Sequence, residues 1–262
     1  MPPDDGALVG REDALKTLLS AIREKKSLHI YGPEGTGKSA LLNWLHDNWS
    51  DLGWLNGRPL IPVFSRNSGT FRETVLSISD FLLGHCKNLR SVDKYKEVTE
   101  ISHSRDFRKL DIKALRNLIY THLKGGEFCL ILDHLECVTP RINGFLSILY
   151  EQCLVISASR QNWEYLDYGF KGHIGYALNF VPKLKIENLS KTDALTLMEQ
   201  IAGRTRFEDG LLESVYQISH GNPGLIQKIM RKALLPGYRT GGGVNLKLIL
   251  IDLEIEKIGK GH

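Results

Sequence analysis

The chain has 262 residues, enough for one large domain or two unequal ones with a real core. Its formal net charge of +4 is too mild to argue for nucleic acid by itself, and no apolar run approaches the ~18 residues that span a bilayer. The start, Met1-Pro2-Pro3-Asp4-Asp5, lacks the basic and apolar regions of a signal peptide, and Cys86, Cys129, Cys137 and Cys153 lack metal-type spacing. A reducing cytoplasm is the expected location, with no zinc site and no membrane partner.

Asp13 to Arg23 carries Leu15, Leu18, Leu19 and Ile22 at helical spacing, so a helix is expected to precede the first strand, Ser27 to Tyr31. Gly32-Pro33-Glu34-Gly35-Thr36-Gly37-Lys38-Ser39 follows, and Ala40 to Leu45 reads as a helix. Strand, G-x-x-x-x-G-K-S loop and helix in that order form a phosphate-binding context. Glycines let the backbone curl its N–H groups around an anion, and the positive end of the helix faces the same place. Lys38 is expected to reach the β- and γ-phosphates and the Ser39 hydroxyl to ligate Mg²⁺. The stretch Gly32, Pro33, Glu34, Gly35, Thr36, Gly37, Lys38, Ser39 and Ala40 is thus the expected binding segment for a nucleoside triphosphate.

Pro59 to Phe64 reads as the second strand and Phe71 to Leu83 as a helix; 88–104 is polar and aperiodic, suggesting an exposed loop or insertion. Helical periodicity returns from Phe107 to Leu123. Apolar runs at 127–133 and Cys153–Ser157 flank a helical stretch from Ile142 to Leu149, and a last strand is expected between Tyr176 and Leu184. Runs buried on both faces and alternating with helices imply a parallel sheet covered on both sides. After residue 187 helices are expected at about 192–203, 208–219 and 222–235, then a glycine break and an amphipathic helix from Val244 to Ile258. The expected fold class is α/β, a three-layer nucleotide domain (1–187) with a small helical lid (188–240) and a tail helix (241–262).

Asp133 ends the strand Leu130-Ile131-Leu132, where the acid that orders the water shell of Mg²⁺ belongs. Many ATPases of this architecture place Glu directly after it. Here His134 takes that position and Glu136 lies two residues on, so the base is Glu136, His134 or neither.

Leu8-Val9-Gly10-Arg11-Glu12 resembles the hydrophobic-Gly-Arg-Glu segment of STAND signalling ATPases and of AAA+ initiators of the origin-recognition group. Ser157-Ala158-Ser159-Arg160 resembles their sensor strand, Leu184 to Ser190 their link to the lid, and Gly221-Asn222-Pro223-Gly224-Leu225 the lid's G-x-P motif. The likeness implies ATP as ligand, Val9, Gly10 and Arg11 folded against it, Arg160 reading its γ-phosphate, and Pro223 packed on adenine. Read without the likeness, Pro223 is a first-turn helix proline and Arg11 or Arg160 a structural or surface residue. Gln227 and Lys228 stand where AAA+ members carry a sensor arginine, which favours the STAND side.

The function expected is an ATP-dependent switch acting on a separate protein effector or on further copies of itself. The alternatives are a DNA-binding regulator ATPase, with the basic groups 105–116 and 228–239 tracking duplex DNA, and a nucleotide-binding scaffold that does not turn over.

Overall fold

A computed structural model of the chain describes residues 8–52, 60–86, 89–92, 98–101, 103–107, 110–124, 127–136, 139–162, 177–208, 210–240 and 243–259. Arg108, Lys109 and Cys137 lie outside them. In chain order the elements are α1 (Glu12–Arg23), β1 (Leu28–Tyr31), α2 (Lys38–Asp47), α3 (Trp49–Leu52), β2 (Ile61–Ser65) and α4 (Phe71–His85). Next come β3 (Leu89–Val92), β4 (Val98–Ile101), α5 (Ser104–Phe107), α6 (Ile112–Leu123), β5 (Phe128–Leu132), α7 (Pro140–Gln152), β6 (Leu154–Ser159) and β7 (Lys183–Lys185). The last are α8 (Lys191–Ala202), α9 (Leu211–Ser219), α10 (Pro223–Ala233), the two-residue strands β8 (Arg239–Thr240) and β9 (Gly243–Val244), and α11 (Leu246–Gly259). No helix among the described residues is long and apolar enough to cross a membrane.

The chain divides into two compact units. One, Leu15–Gly32 with Leu41–Lys185, is the α/β unit. Its sheet has five parallel strands in the order β2-β5-β6-β1-β7. Every residue of β5 and β6 is buried. Successive side chains of a strand point to opposite faces. Phe128, Leu130 and Leu132 join a core with Val75, Ile78 and Leu82 of α4, Leu115 and Ile119 of α6, and Phe145 and Leu149 of α7. Cys129 and Ile131 are fully buried outside that core, so the sheet is covered on both faces, as the apolar runs predicted. Burial also pushes the Cys129 thiol up and the Cys153 thiol to about 12, which leaves both as small core hydrophobes.

Two local expectations need correction. Residues 88–104 contain an antiparallel hairpin, with Leu89 opposite Ile101 and Val92 opposite Val98. The helix predicted from Phe107 starts at Ile112, because Asp111 caps it by accepting from the Ala114 N–H at 2.7 Å; Phe107 closes the separate short α5.

The second unit comprises the described parts of Met1–Ala14, Pro33–Ala40 and Ile186–His262. Its core joins Leu197 and Met198 of α8, Val215 of α9, Ile226, Ile229 and Met230 of α10, and Ile249 of α11. Ser190 starts α8 by accepting from the Asp193 N–H, and Asn222 starts α10 by accepting from the Leu225 N–H. Most of the phosphate loop belongs to this helical unit.

Candidate functional site

Gly35 and Gly37 take φ of 80° and 96°, a backbone region that only glycine enters without strain. The Lys38 Nζ donates to the Pro33 carbonyl at 2.8 Å, and the Thr36 hydroxyl donates to the same carbonyl at 2.9 Å. The ammonium is therefore curled into its own loop at the N-terminus of α2. Positive-φ glycines, a buried lysine and a ten-residue helix beginning at Lys38 form a donor set that fits a polyphosphate.

The start of α10 is bonded to this loop. The Asn222 Nδ2 donates to the Glu34 carbonyl at 2.8 Å, and the Gly224 N–H donates to the Gly35 carbonyl at 2.8 Å. The fit leaves no room for side chains. A Cβ on Gly224 would stand 2.9 Å from the Gly35 Cα, and one on Gly35 would stand 2.5 Å from the Asn222 Oδ1. Pro223 is buried in the first turn of α10, and its Cγ lies 4.0 Å from where a Gly37 Cβ would sit. The expected proline is thus also a first-turn helix proline, placed against the loop.

Arg11 is only 9% exposed. A buried guanidinium must be hydrogen-bonded. Its Nη2 donates at 2.8 Å to the Thr36 carbonyl in the loop and at 2.8 Å to the Glu187 carbonyl leading into α8. Burial lowers its pKa, opposed by Asp193 and then Glu12. Gly10 turns with φ 66° against Asp193, and Val9 packs on the helical core. The helical unit therefore brings together Val9, Gly10, Arg11, Pro33 to Ala40 and Pro223.

The α/β unit gathers the second set. Asp133 is buried just beyond β5; its N–H donates to the Ser65 carbonyl, and its carbonyl accepts from the Ser68 N–H. Its Oδ1 accepts from the His134 N–H at 2.8 Å. His134 takes the left-handed φ of 55° and is half exposed, its Nε2 3.7 Å from the Asp133 Oδ2. The chain then turns so that Glu136 faces the end of β6. The Glu136 Oε2 accepts weakly from the Arg160 N–H at 3.4 Å, and Oε1 lies 3.6 Å from the Arg160 Nε and 4.0 Å from the His134 Nδ1. Asp133, His134, Glu136 and Arg160 thus form one cluster at the carboxyl ends of adjacent strands, where open α/β sheets place their ligands.

Three participants were missed by sequence reading. Asn222 lies inside the quoted lid motif, and asparagine before Pro-Gly is a cap signal that pointed to it. Asn188, inside the expected link to the lid, donates to the His220 carbonyl at 3.0 Å and closes the turn before α10. His29 on β1 is buried against Ser157 and Ser159.

Five parallel strands in this order, a phosphate loop after the first of them in the chain, and a helical region after the last define the fold of AAA+ P-loop ATPases. The chain is similar to the ORC1 protein of Aeropyrum pernix, solved in complex with DNA, at 15% identity and a TM-score of 0.65 over 98% of this chain and 68% of that one. It is similar to domain III of the Thermotoga maritima replication initiation protein DnaA at 16% identity, TM-score 0.59, over 97% of each chain. A Walker-type ATPase of Pyrococcus abyssi matches at 16% identity and TM-score 0.56, over 96% of this chain and 76% of that one. At such identities the likeness is one of fold. No protein-family model matches the chain, and no curated protein does.

Proposed function

We propose that this chain is a nucleotide-operated switch, a cytoplasmic ATPase of the STAND or AAA+ kind that binds ATP with Mg²⁺ and acts on a protein effector or on further copies of itself. One observation carries the reading. The phosphate loop is tied to the helical unit through Asn222 and Gly224 on one side, and Arg11 ties it to the segment entering α8 on the other. A ligand that recruits Lys38 away from the Pro33 carbonyl must reshape the loop, and the helices bonded to that loop then respond. A ligand shifts such an equilibrium only by its differential affinity for the two arrangements.

In this reading Gly32 to Ala40 hold the phosphates, Lys38 counters their charge, and Ser39 and Asp133 serve Mg²⁺, Asp133 through its water shell. Bound Mg²⁺–ATP supplies the phosphoryl group and a good leaving group. Glu136 is the base that takes the proton from water, held until needed by Arg160; His134 is the alternative, with its ring 4.0 Å from the same carboxylate. Turnover with ATP is expected to fall ~10²–10⁴-fold in Glu136→Gln. Unchanged turnover would remove Glu136 from that role, and a wild type without turnover would leave the scaffold reading.

Hydrogen exchange of the α10 amides tests the switch itself. Saturating ATP is expected to change exchange in the first turn of α10 in the wild type. Asn222→Ala should bind ATP yet lose most of that response, and Lys38→Ala should lose both. Unaltered α10 exchange in an ATP-saturated wild type would sink the switch.

The DNA-regulator reading rests on exposed Lys228 and Arg231 on α10 and, from the 105–116 group, on exposed Arg105 and Lys113. It is weakened because the neighbouring Lys232 is 2.8 Å from Glu256, and Arg239 donates to the Ala233 carbonyl and lies over Phe207. Binding of duplex DNA that falls steeply with salt would revive it.

A further inference from the structure

A line of polar groups crosses the core of the α/β unit and ends on both sides of Arg160. Ser157 and Ser159 stand two apart on β6, hence on one face, and His29 of β1 is level with Ser157 in the parallel register. All three are fully buried. The Tyr150 hydroxyl of α7 lies 3.4 Å from the Ser157 Oγ, which lies 2.9 Å from the His29 Nδ1. On the far side of the ring, Nε2 faces the Gln161 carbonyl at 3.1 Å and the Ser159 Oγ at 3.2 Å.

The line has one direction. A carbonyl only accepts, so Nε2 donates to Gln161 and Nδ1 accepts from the Ser157 hydroxyl. The Ser157 oxygen is then left to accept from Tyr150, whose phenol is held protonated by burial.

The end of the line is a clamp. The Ser159 hydroxyl donates to the Gln161 carbonyl and accepts from the Gln161 N–H at 3.2 Å. One carbonyl thus receives both Ser159 and His29, and the backbone before and after Arg160 is fixed. The Arg160 side chain is instead half exposed, with its Nε 3.6 Å from the Glu136 Oε1.

Stability alone does not ask for a histidine here. Its neighbours Leu28 and Ile30 are buried aliphatics, and replacing buried hydrogen-bonded groups by apolar ones of the same shape is often nearly neutral. What the ring adds, and an aliphatic side chain lacks, is a direction.

Given the reading in which this chain binds ATP and Arg160 meets the γ-phosphate, we propose that His29 is a positioning residue for Arg160. Its Nε2–H sets where the Gln161 carbonyl stands, and that carbonyl sets the backbone from which the guanidinium reaches. Contacts between a guanidinium and a phosphate are short and directional, so moving their anchor by about 1 Å forfeits them. ADP has no γ-phosphate for that guanidinium to reach. His29 therefore serves the preference for ATP over ADP without touching either.

The test is calorimetric binding of ADP and of the hydrolysis-resistant β,γ-imido analogue of ATP, each with Mg²⁺, to the full chain near neutral pH. The quantity compared is the preference, the ratio of the two dissociation constants. Arg160→Ala is expected to lower it about tenfold or more, the size of a hydrogen bond to a charged group. His29→Leu should lower it about three- to tenfold, with ADP affinity within about twofold of wild type. Glutamine carries an N–H where Nε2 stands, and asparagine only where Nδ1 stands. His29→Gln should therefore regain most of the preference, and His29→Asn should not. Ser159→Ala, which removes the other grip on Gln161, should follow His29→Leu and decides the matter if that variant fails to fold. In His29→Leu/Arg160→Ala the preference should be no lower than in Arg160→Ala alone.

A wild-type preference in His29→Leu, equal losses for both nucleotides, a further drop in the double variant, or rescue by asparagine as good as by glutamine would each overturn the proposal. An Arg160→Ala protein with the wild-type preference would overturn the assignment of Arg160, and the proposal with it. A wild type that binds neither nucleotide would overturn the ATP reading itself. The three failures are distinct, because each is read from a different protein.

Discussion

His29 has no exposed surface, although it lies on β1 only three residues before the phosphate loop. Its Nε2 faces the Gln161 carbonyl at 3.1 Å, an atom that can only accept, so Nε2 carries the proton. Nδ1 must then accept from the Ser157 hydroxyl at 2.9 Å, and the Ser159 hydroxyl completes the pocket. Burial holds the ring neutral and lowers its pKa from 6.5 to about 4. The unfolded chain binds a proton below about pH 6.5 that the folded ring refuses until about pH 4. Stability from this group is therefore full above pH 6.5, falls as the pH drops, and is ~3 kcal/mol lower by pH 4. In urea melts, wild type should lose about that much more than His29→Gln between pH 7 and pH 4. Equal losses would show that His29 does not titrate in this window. None of this was legible in Ser27-Leu28-His29-Ile30-Tyr31, because burial of a single polar residue depends on what the neighbouring strand places against it. In the sequence, Ser157 and Ser159 stand only as part of a sensor-like run.

The first turn of α10 joins three functions in four residues. Asn222 caps the helix with Oδ1 and holds the loop with Nδ2. Gly221, at φ 75°, lets the chain pass the Leu189 carbonyl, where any Cβ would collide. Losing the cap costs ~1–2 kcal/mol, and a side chain at a left-handed glycine that meets backbone costs at least ~1 kcal/mol. Asn222→Ala should therefore lower the midpoint of chemical unfolding, and Gly221→Ala should do so at least as strongly. A Gly221→Ala protein as stable as wild type would contradict the contact with Leu189. Most helices and the central strands of the main sheet were legible because their period or their continuous apolar runs are strong, whereas caps such as Asp111 and Asn222 were missed. The β3–β4 hairpin was missed too, since each strand is only four residues long and lies in a polar, aperiodic stretch of sequence.

Across the whole chain, the grouping of the phosphate loop with the helical unit could not be read from order along the sequence. The phosphate loop sits in the middle of the α/β stretch yet belongs with helices some 150–190 residues later and with Arg11 before it. Both ends of this arrangement are legible as separate motifs, but the hydrogen bonds that join them, from the Arg11 and Asn222 side chains and the Gly224 N–H to carbonyls of the loop, are not. Ligand binding to the folded state alone raises stability by ~2.7 kcal/mol at a hundredfold excess over Kd. For a protein of this size that is ~5–10 °C in Tm. ATP with Mg²⁺ should produce a shift of that order in the wild type and none in Lys38→Ala. A shift that survives Lys38→Ala would place the nucleotide elsewhere.

Residues 33–37 and 221–224 are shaped as mould and cast: a side chain on Gly35 would run into Asn222, and one on Gly224 would run into the Gly35 backbone. For inheritance this makes the two stretches one locus split in two. A lid taken from a distant relative should graft onto this protein only when the five-residue stretch after Gly32 travels with it, and drift in either stretch is paced by the other.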